Sequence, residues 1–304
     1  MNRNFISYSL FKPKKFYEHR TWDKDNFNEE RYFFNIPSLC AVNKILYPEF
    51  STHLYVCPET EKHPLFEFYK QLSSVNDSFS YSVIEENYSG HEPALWRVKL
   101  LWKKGVGTFL SRDLDSLPNK EEYQSTRFFE NSDYSVHTIR SHKNHFNYPC
   151  RMLMGMSAFK PDRIPQEILT NSFEDFKSKY SLKPELLADP TIKWNSDQLI
   201  VINAFTNNDF FTSDHFLDSK INNQTHYQDF FCNIISDTEL NSIKINSNQS
   251  MILDLIHERS LTSWAGEPSD ARGEFLTLAC EIENSLPILD IINQNSLLKQ
   301  FYFS

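Results

Sequence analysis

Val106-Gly107-Thr108-Phe109-Leu110 runs directly into Ser111-Arg112-Asp113-Leu114-Asp115-Ser116. A short apolar run of this kind suits a strand buried on both faces of a sheet, and it predicts such a strand over 106–110. The charged residues follow where that strand ends. In open α/β sheets ligands bind outside the carboxyl ends of the strands, so this junction is where a site is expected.

The sequence upstream supplies the rest of the sheet. Phe5-Ile6-Ser7-Tyr8-Ser9-Leu10-Phe11 alternates, is rich in strand-forming residues and predicts a first strand. Ile36, Leu39, Val42 and Leu46 fall at helical spacing, with Pro37 suited to a first helical turn and Tyr47-Pro48 closing the helix. A second strand is predicted over 53–57, a helix over 64–72, a third strand over 80–84 and a further helix over 94–101. Strand, helix, strand, helix, strand is the order of a parallel sheet with crossover helices, which makes the fold class α/β.

The second half is less regular. Asn195-Ser196-Asp197-Gln198 precedes the apolar run Leu199-Ile200-Val201-Ile202. The segment 251–256 suits a strand or a short helix, and 274–298 has helical periodicity broken by Pro287. No internal repeat or linker divides the chain, so one domain over residues 1–304 with C-terminal elaborations is expected.

Composition narrows the functional classes. Of 304 residues, 40% are hydrophobic and 15% aromatic, enough to bury a sizeable core and exclude global disorder. Lys and Arg number 31 against 40 Asp and Glu, a net charge of −9 that argues against a broad nucleic-acid surface. No stretch approaches the roughly 18 apolar residues that span a bilayer, and the N-terminus lacks a signal-peptide core. Cys40, Cys57, Cys150, Cys232 and Cys280 are scattered and odd in number, which suits free thiols in a reducing cytoplasm.

Asp113-Leu114-Asp115 carries the chemistry. Two carboxylates one residue apart can share a hard divalent cation, Mg²⁺ or Mn²⁺, which also binds a diphosphate. The chain contains its own control in Asp23-Lys24-Asp25, which no apolar strand feeds and which reads as solvated loop. His137, His142 and His145 invite a zinc reading, but no Cys or acidic partner lies at ligand spacing.

Several blocks occur in a fixed order: Trp96-Arg97, Arg112-Asp113-Leu114-Asp115-Ser116, His137-Thr138-Ile139-Arg140-Ser141-His142, and Met154-Gly155-Met156-Ser157-Ala158. In order and spacing they resemble the metal-binding region of GT-A-fold glycosyltransferases, and more narrowly a microbial and viral branch of them. The pattern departs from that branch at Ser141, where Asp is usual, and at Ser157-Ala158, where an aromatic residue and Gly are common.

The resemblance implies a Rossmann-like, mostly parallel sheet flanked by helices, with residues 1–160 as the nucleotide-sugar half and 161–304 as the acceptor-side half. It implies transfer of a sugar from a nucleotide-diphosphate donor, expected to be a UDP-sugar, to a hydroxyl of a glycan, lipid-linked or protein acceptor. Nucleic acid is disfavoured as acceptor, and contact with a membrane would be peripheral. Asp113 and Asp115 would hold Mn²⁺ or Mg²⁺, with His215 as a late ligand. Ser7, Tyr8 and Leu10 would line the nucleoside pocket. Arg97, Arg112, Arg140, His142 and Gly155 would contact the donor. Asp197 and Gln198 would serve on the acceptor side, Asp197 as a base. Trp264 to Pro268 would form a closing loop. Fold analogy points to retention of configuration.

Two other classes compete. An Asp-x-Asp phosphohydrolase would carry its motif after the first strand, whereas here it follows the fourth predicted one. A non-catalytic carbohydrate-binding protein on the same fold would use the abundant aromatics, but has no use for the carboxylate pair.

Overall fold

Strand β4, Val106–Arg112, carries the strand two residues beyond its predicted end and into the charged block. A computed structural model of the protein describes residues 2–12, 29–75, 77–88, 92–140, 152–183, 196–206, 211–214 and 233–258. Within them β4 pairs with β1 (Arg3–Leu10), which pairs with β2 (Phe50–Val56), which pairs with β3 (Phe79–Val83), all in parallel. On its other side β4 meets β6 (Met156–Phe159), which runs antiparallel to both β4 and β5 (Val136–Ile139). Parallel pairing then resumes through β7 (Phe211–Asp214) to β8 (Asn233–Ile235). Among the described residues the sheet has eight strands in the order β3-β2-β1-β4-β6-β5-β7-β8, the mostly parallel, helix-flanked form expected of the α/β class.

Side-chain alternation assigns the two faces. Ile6, Tyr8, Leu10 and Leu110 pack with the helices Glu29–Leu46, Phe66–Val75, Lys120–Asn131 and Ser247–Glu258. Phe5, Phe109, Val136 and Phe159 pack the opposite way, against the 3₁₀ segment Glu92–Trp102 and the helices Phe173–Tyr180 and Ser196–Phe205. Phe109 and Phe159 are direct register partners and stack with centroids 4.9 Å apart. Each such aromatic removed from water contributes about 1.5–3 kcal/mol, which makes the row a strong register lock.

Two expectations need correction, and one open alternative is resolved. Pro37 does not open its helix but sits inside Glu29–Leu46. An internal proline has no amide for the carbonyl four residues back. That carbonyl belongs to Phe33, and the Tyr69 hydroxyl donates to it instead, so the buried acceptor is satisfied. The 94–101 region is helical but wound as the 3₁₀ segment Glu92–Trp102. The ambiguous run 251–256 lies within the helix Ser247–Glu258, where Ile252, Leu253 and Ile256 reach the core. The segment 274–298 lies outside the described residues.

Candidate functional site

Because β4 extends through Arg112, alternation turns Arg112 and Asp113 to opposite sides. Arg112 faces the helix Lys120–Asn131. Its Nε pairs with Glu122, Nη2 donates to Thr126 Oγ1 at 3.2 Å, and Nη1 donates to the carbonyls of Ser111 and Ser157 at 2.9 and 2.7 Å. The side chain is buried, and so is that of Glu122. A small pocket of mixed lining on this face has Ile6 and Leu110 beside Tyr8, Asn43, Arg112 and Glu122.

Asp113 faces the other way, just past the carboxyl end of β4. Its side chain is 46% exposed, yet it is fixed from two sides. Arg97, from the 3₁₀ segment, pairs with Asp113 through Nη1, which also donates to the Arg112 carbonyl at 3.0 Å. Arg97 Nε donates to the Ala94 carbonyl at 2.9 Å, so the buried guanidinium is committed to the protein. The second constraint is Gly155. A Cβ built on it would lie 1.8 Å from Asp113 Oδ2, so the carboxylate rests on bare backbone that no other residue type would leave open.

Arg97 also faces a second carboxylate. Its Nη2 lies 3.9 Å from Oδ2 of Asp197, in the first turn of the helix Ser196–Phe205. Burial pushes the Asp197 carboxyl up to about 6; Arg97 and the helix-terminal amides pull it down, and Asp113 adds to the rise. Such a value places the group in the range where a carboxylate can exchange protons near neutral pH. Gln198, the next residue, is half-buried.

The turn between the paired aspartates is anchored from below. Leu114 is buried in the core, and Asn35 Nδ2 donates to its carbonyl at 2.8 Å. Asp115 therefore emerges on a pinned loop, half-buried itself. Asn35 was not foreseen: nothing in its sequence setting marks it apart from any polar residue on a helix.

Thus Arg97, Asp113, Gly155 and Asp197 form a connected group, with Asp115 two residues along the chain from Asp113. Arg140 directly follows β5 at the same edge and is fully buried. The β1 residues lie within the sheet. Tyr8 and Leu10 pack towards the helix Glu29–Leu46, with the Tyr8 hydroxyl accepting from Asn43 Nδ2 at 3.0 Å. Ser7 is fully buried in the strand. His137 stacks on Phe129, centroids 5.3 Å apart. His142, His145, His215, Ser141, the Asp23-Lys24-Asp25 control and the 264–268 loop lie outside the described residues.

The donor set suits the cation considered from the sequence. Mg²⁺ and Mn²⁺ accept one or two carboxylates and complete their shell with water and phosphate oxygens. The Asp113 side chain is 46% exposed, and the half-buried Asp115 follows it two residues along the chain. Among the described residues no three His, Cys, Asp or Glu side chains gather closely enough to hold an ion by themselves.

No family model matches the chain, and no curated protein matches it. Among solved structures it is similar to one described as a "putative nucleotide-diphospho-sugar transferase" from Desulfovibrio desulfuricans G20. The two share 10% identity over 57% of this chain and 70% of that one, with a TM-score of 0.35.

Proposed function

We propose that the chain is a GT-A-fold glycosyltransferase that moves a sugar from a nucleotide-diphosphate donor, a UDP-sugar in the first instance, to a hydroxyl acceptor. The observation that carries this reading is the Asp113 carboxylate. It stands exposed at the carboxyl end of a central strand, tied through Arg97 to Asp197. The in-order motif blocks that flank it add to the case.

Asp113 and Asp115 would hold Mn²⁺ or Mg²⁺, with His215 as a third ligand. Bound there, such an ion offsets the charge that develops on a departing diphosphate. Arg97 keeps the Asp113 carboxylate in one orientation, so little reorganisation is needed when the donor arrives. Asp197, ionised above about pH 6, offers a proton acceptor beside that group, and Gln198 an amide for acceptor hydroxyls. Arg140 and His142 would meet the donor at the neighbouring strand end. Retention of configuration, a glycan, lipid-linked or protein acceptor and a single domain over 1–304 complete the proposal. So does a cytoplasmic location, in keeping with the free, buried thiols of Cys40 and Cys57. Among the described residues no helix is long and apolar enough to cross a membrane.

A thermal-shift screen of nucleoside diphosphates and sugar nucleotides, with and without Mn²⁺, tests this directly. A ligand that binds only the folded chain raises its melting temperature by mass action. The expected result is a shift that needs both nucleotide and Mn²⁺ and disappears in Asp115→Ala. No shift with any nucleotide would overturn the assignment.

A further inference from the structure

Two rows cross the centre of the sheet on the face that carries Asp113. In the first, Phe5, Phe109, Phe159 and Val136 are successive register partners on β1, β4, β6 and β5. One pleat nearer the site, the partners are Ser7, Ser111, Ser157 and Thr138. All four are fully buried. A hydroxyl row through a sheet interior costs desolvation unless its groups are bonded, so its bonds are informative.

Three of the four hydroxyls bond to one short segment; Ser7 Oγ makes no hydrogen bond among the described residues. Ser111 Oγ donates to the Met154 carbonyl at 2.5 Å, and Ser157 Oγ donates to the Leu153 carbonyl at 2.6 Å. Thr138 Oγ1 accepts from the Leu153 amide at 3.2 Å. The Met154 carbonyl belongs to the peptide that leads into Gly155, against which the Asp113 carboxylate rests. Ser111 also lies two residues before Asp113, on the same side of β4. One hydroxyl therefore links the strand that presents the carboxylate to the backbone that seats it.

We propose that Ser111 is a positioning residue: its hydroxyl holds the Met154–Gly155 peptide in place beneath Asp113 and so sets the geometry of the cation site. The inference rests on the metal-binding reading of Asp113. Ser157 and Thr138 support the same segment one residue earlier. Shape alone does not require serine at 111; the bond to the Met154 carbonyl does.

The test is a Mn²⁺ titration of the full chain followed by electron paramagnetic resonance, with melting temperature read in parallel. Ser111→Ala is expected to raise the Mn²⁺ dissociation constant five- to tenfold, and Ser111→Thr, which keeps the hydroxyl, to return it to within about twofold of wild type. Ser125→Ala removes another fully buried hydroxyl, on the helix Lys120–Asn131, and is expected to leave the constant unchanged. Wild-type affinity in Ser111→Ala overturns the proposal. So does equal weakening in Ser125→Ala, or weakening that Thr does not restore. Should Ser111→Ala fail to fold, Ser157→Ala replaces it, with weakened Mn²⁺ binding expected and wild-type affinity overturning the proposal. Absence of Mn²⁺ binding in the wild type overturns the metal reading itself, and this inference with it.

Discussion

The carboxylate of Asp113 occupies the space into which a side chain on Gly155 would grow: an ideal Cβ there lies 1.8 Å from Oδ2 and 2.4 Å from Cγ of the aspartate. Gly155 was expected to permit close approach of a donor sugar. The approach it permits is that of Asp113.

Gly155→Ala must therefore displace a carboxylate that Arg97 holds in place. Overpacking of this kind costs about 1–3 kcal/mol. The larger consequence falls on the site: Mn²⁺ affinity is expected to drop by about tenfold, with the circular-dichroism spectrum of the fold retained. Unchanged affinity would show that the seat of Asp113 is immaterial.

Asp197 makes stability depend on pH. Folding raises its carboxyl from an ordinary 3.8 to about 6, which favours the protonated folded form. Its stabilising contribution is complete below about pH 4 and is lost as the pH rises through about 6, a change on the order of 1–3 kcal/mol. Asp197→Asn removes this dependence. Urea unfolding at pH 4 and pH 7 should show the wild type losing more stability than the variant between the two. Parallel curves would sink the prediction. Glu130, also raised by burial, is common to both proteins and cancels.

Arg112 and Glu122 form a buried pair facing the helix Lys120–Asn131. Removing one partner of such a pair leaves an uncompensated charge, at a cost of about 3–5 kcal/mol. Glu122→Gln is expected to lower stability by that amount while changing Mn²⁺ affinity less than twofold. A loss of nucleotide affinity at unchanged stability would instead assign Arg112 to donor binding.

Tyr69 and Pro37 should be coupled. Tyr69→Phe strips the Phe33 carbonyl of its donor and is expected to cost about 1–3 kcal/mol. In a Pro37→Ala background that carbonyl regains a helical amide, so the same substitution should cost about half as much. Equal costs in the two backgrounds, measured by chemical denaturation, would refute the compensation.

The first half of the sheet was legible because β1 to β4 combine apolar or alternating runs with helices of clear period between them. β5 and β6 were not, and the reason is physical. Val-His-Thr-Ile and Met-Ser-Ala-Phe have four residues each, too few to show a period, and the second has no β-branched residue. In the sequence they overlap the 137–142 and 154–158 blocks. Asp113, Arg97 and Asp197, each singled out in the sequence, are brought together by the fold at one strand end. The direction of the Arg112 side chain was not legible, because ending β4 at 110 hides the alternation. Two more residues of strand decide which face each side chain takes.

The reversed polarity of β6 has a consequence for how the chain tolerates change. Every parallel strand delivers its last residue to the edge where Asp113 stands, whereas β6 delivers its first, Met156, directly after Gly155. Insertions before β6 are thus felt at the chemistry. Those after it, beyond Phe159, fall on the opposite margin, where the molecule can grow or shrink without its reactive end taking notice.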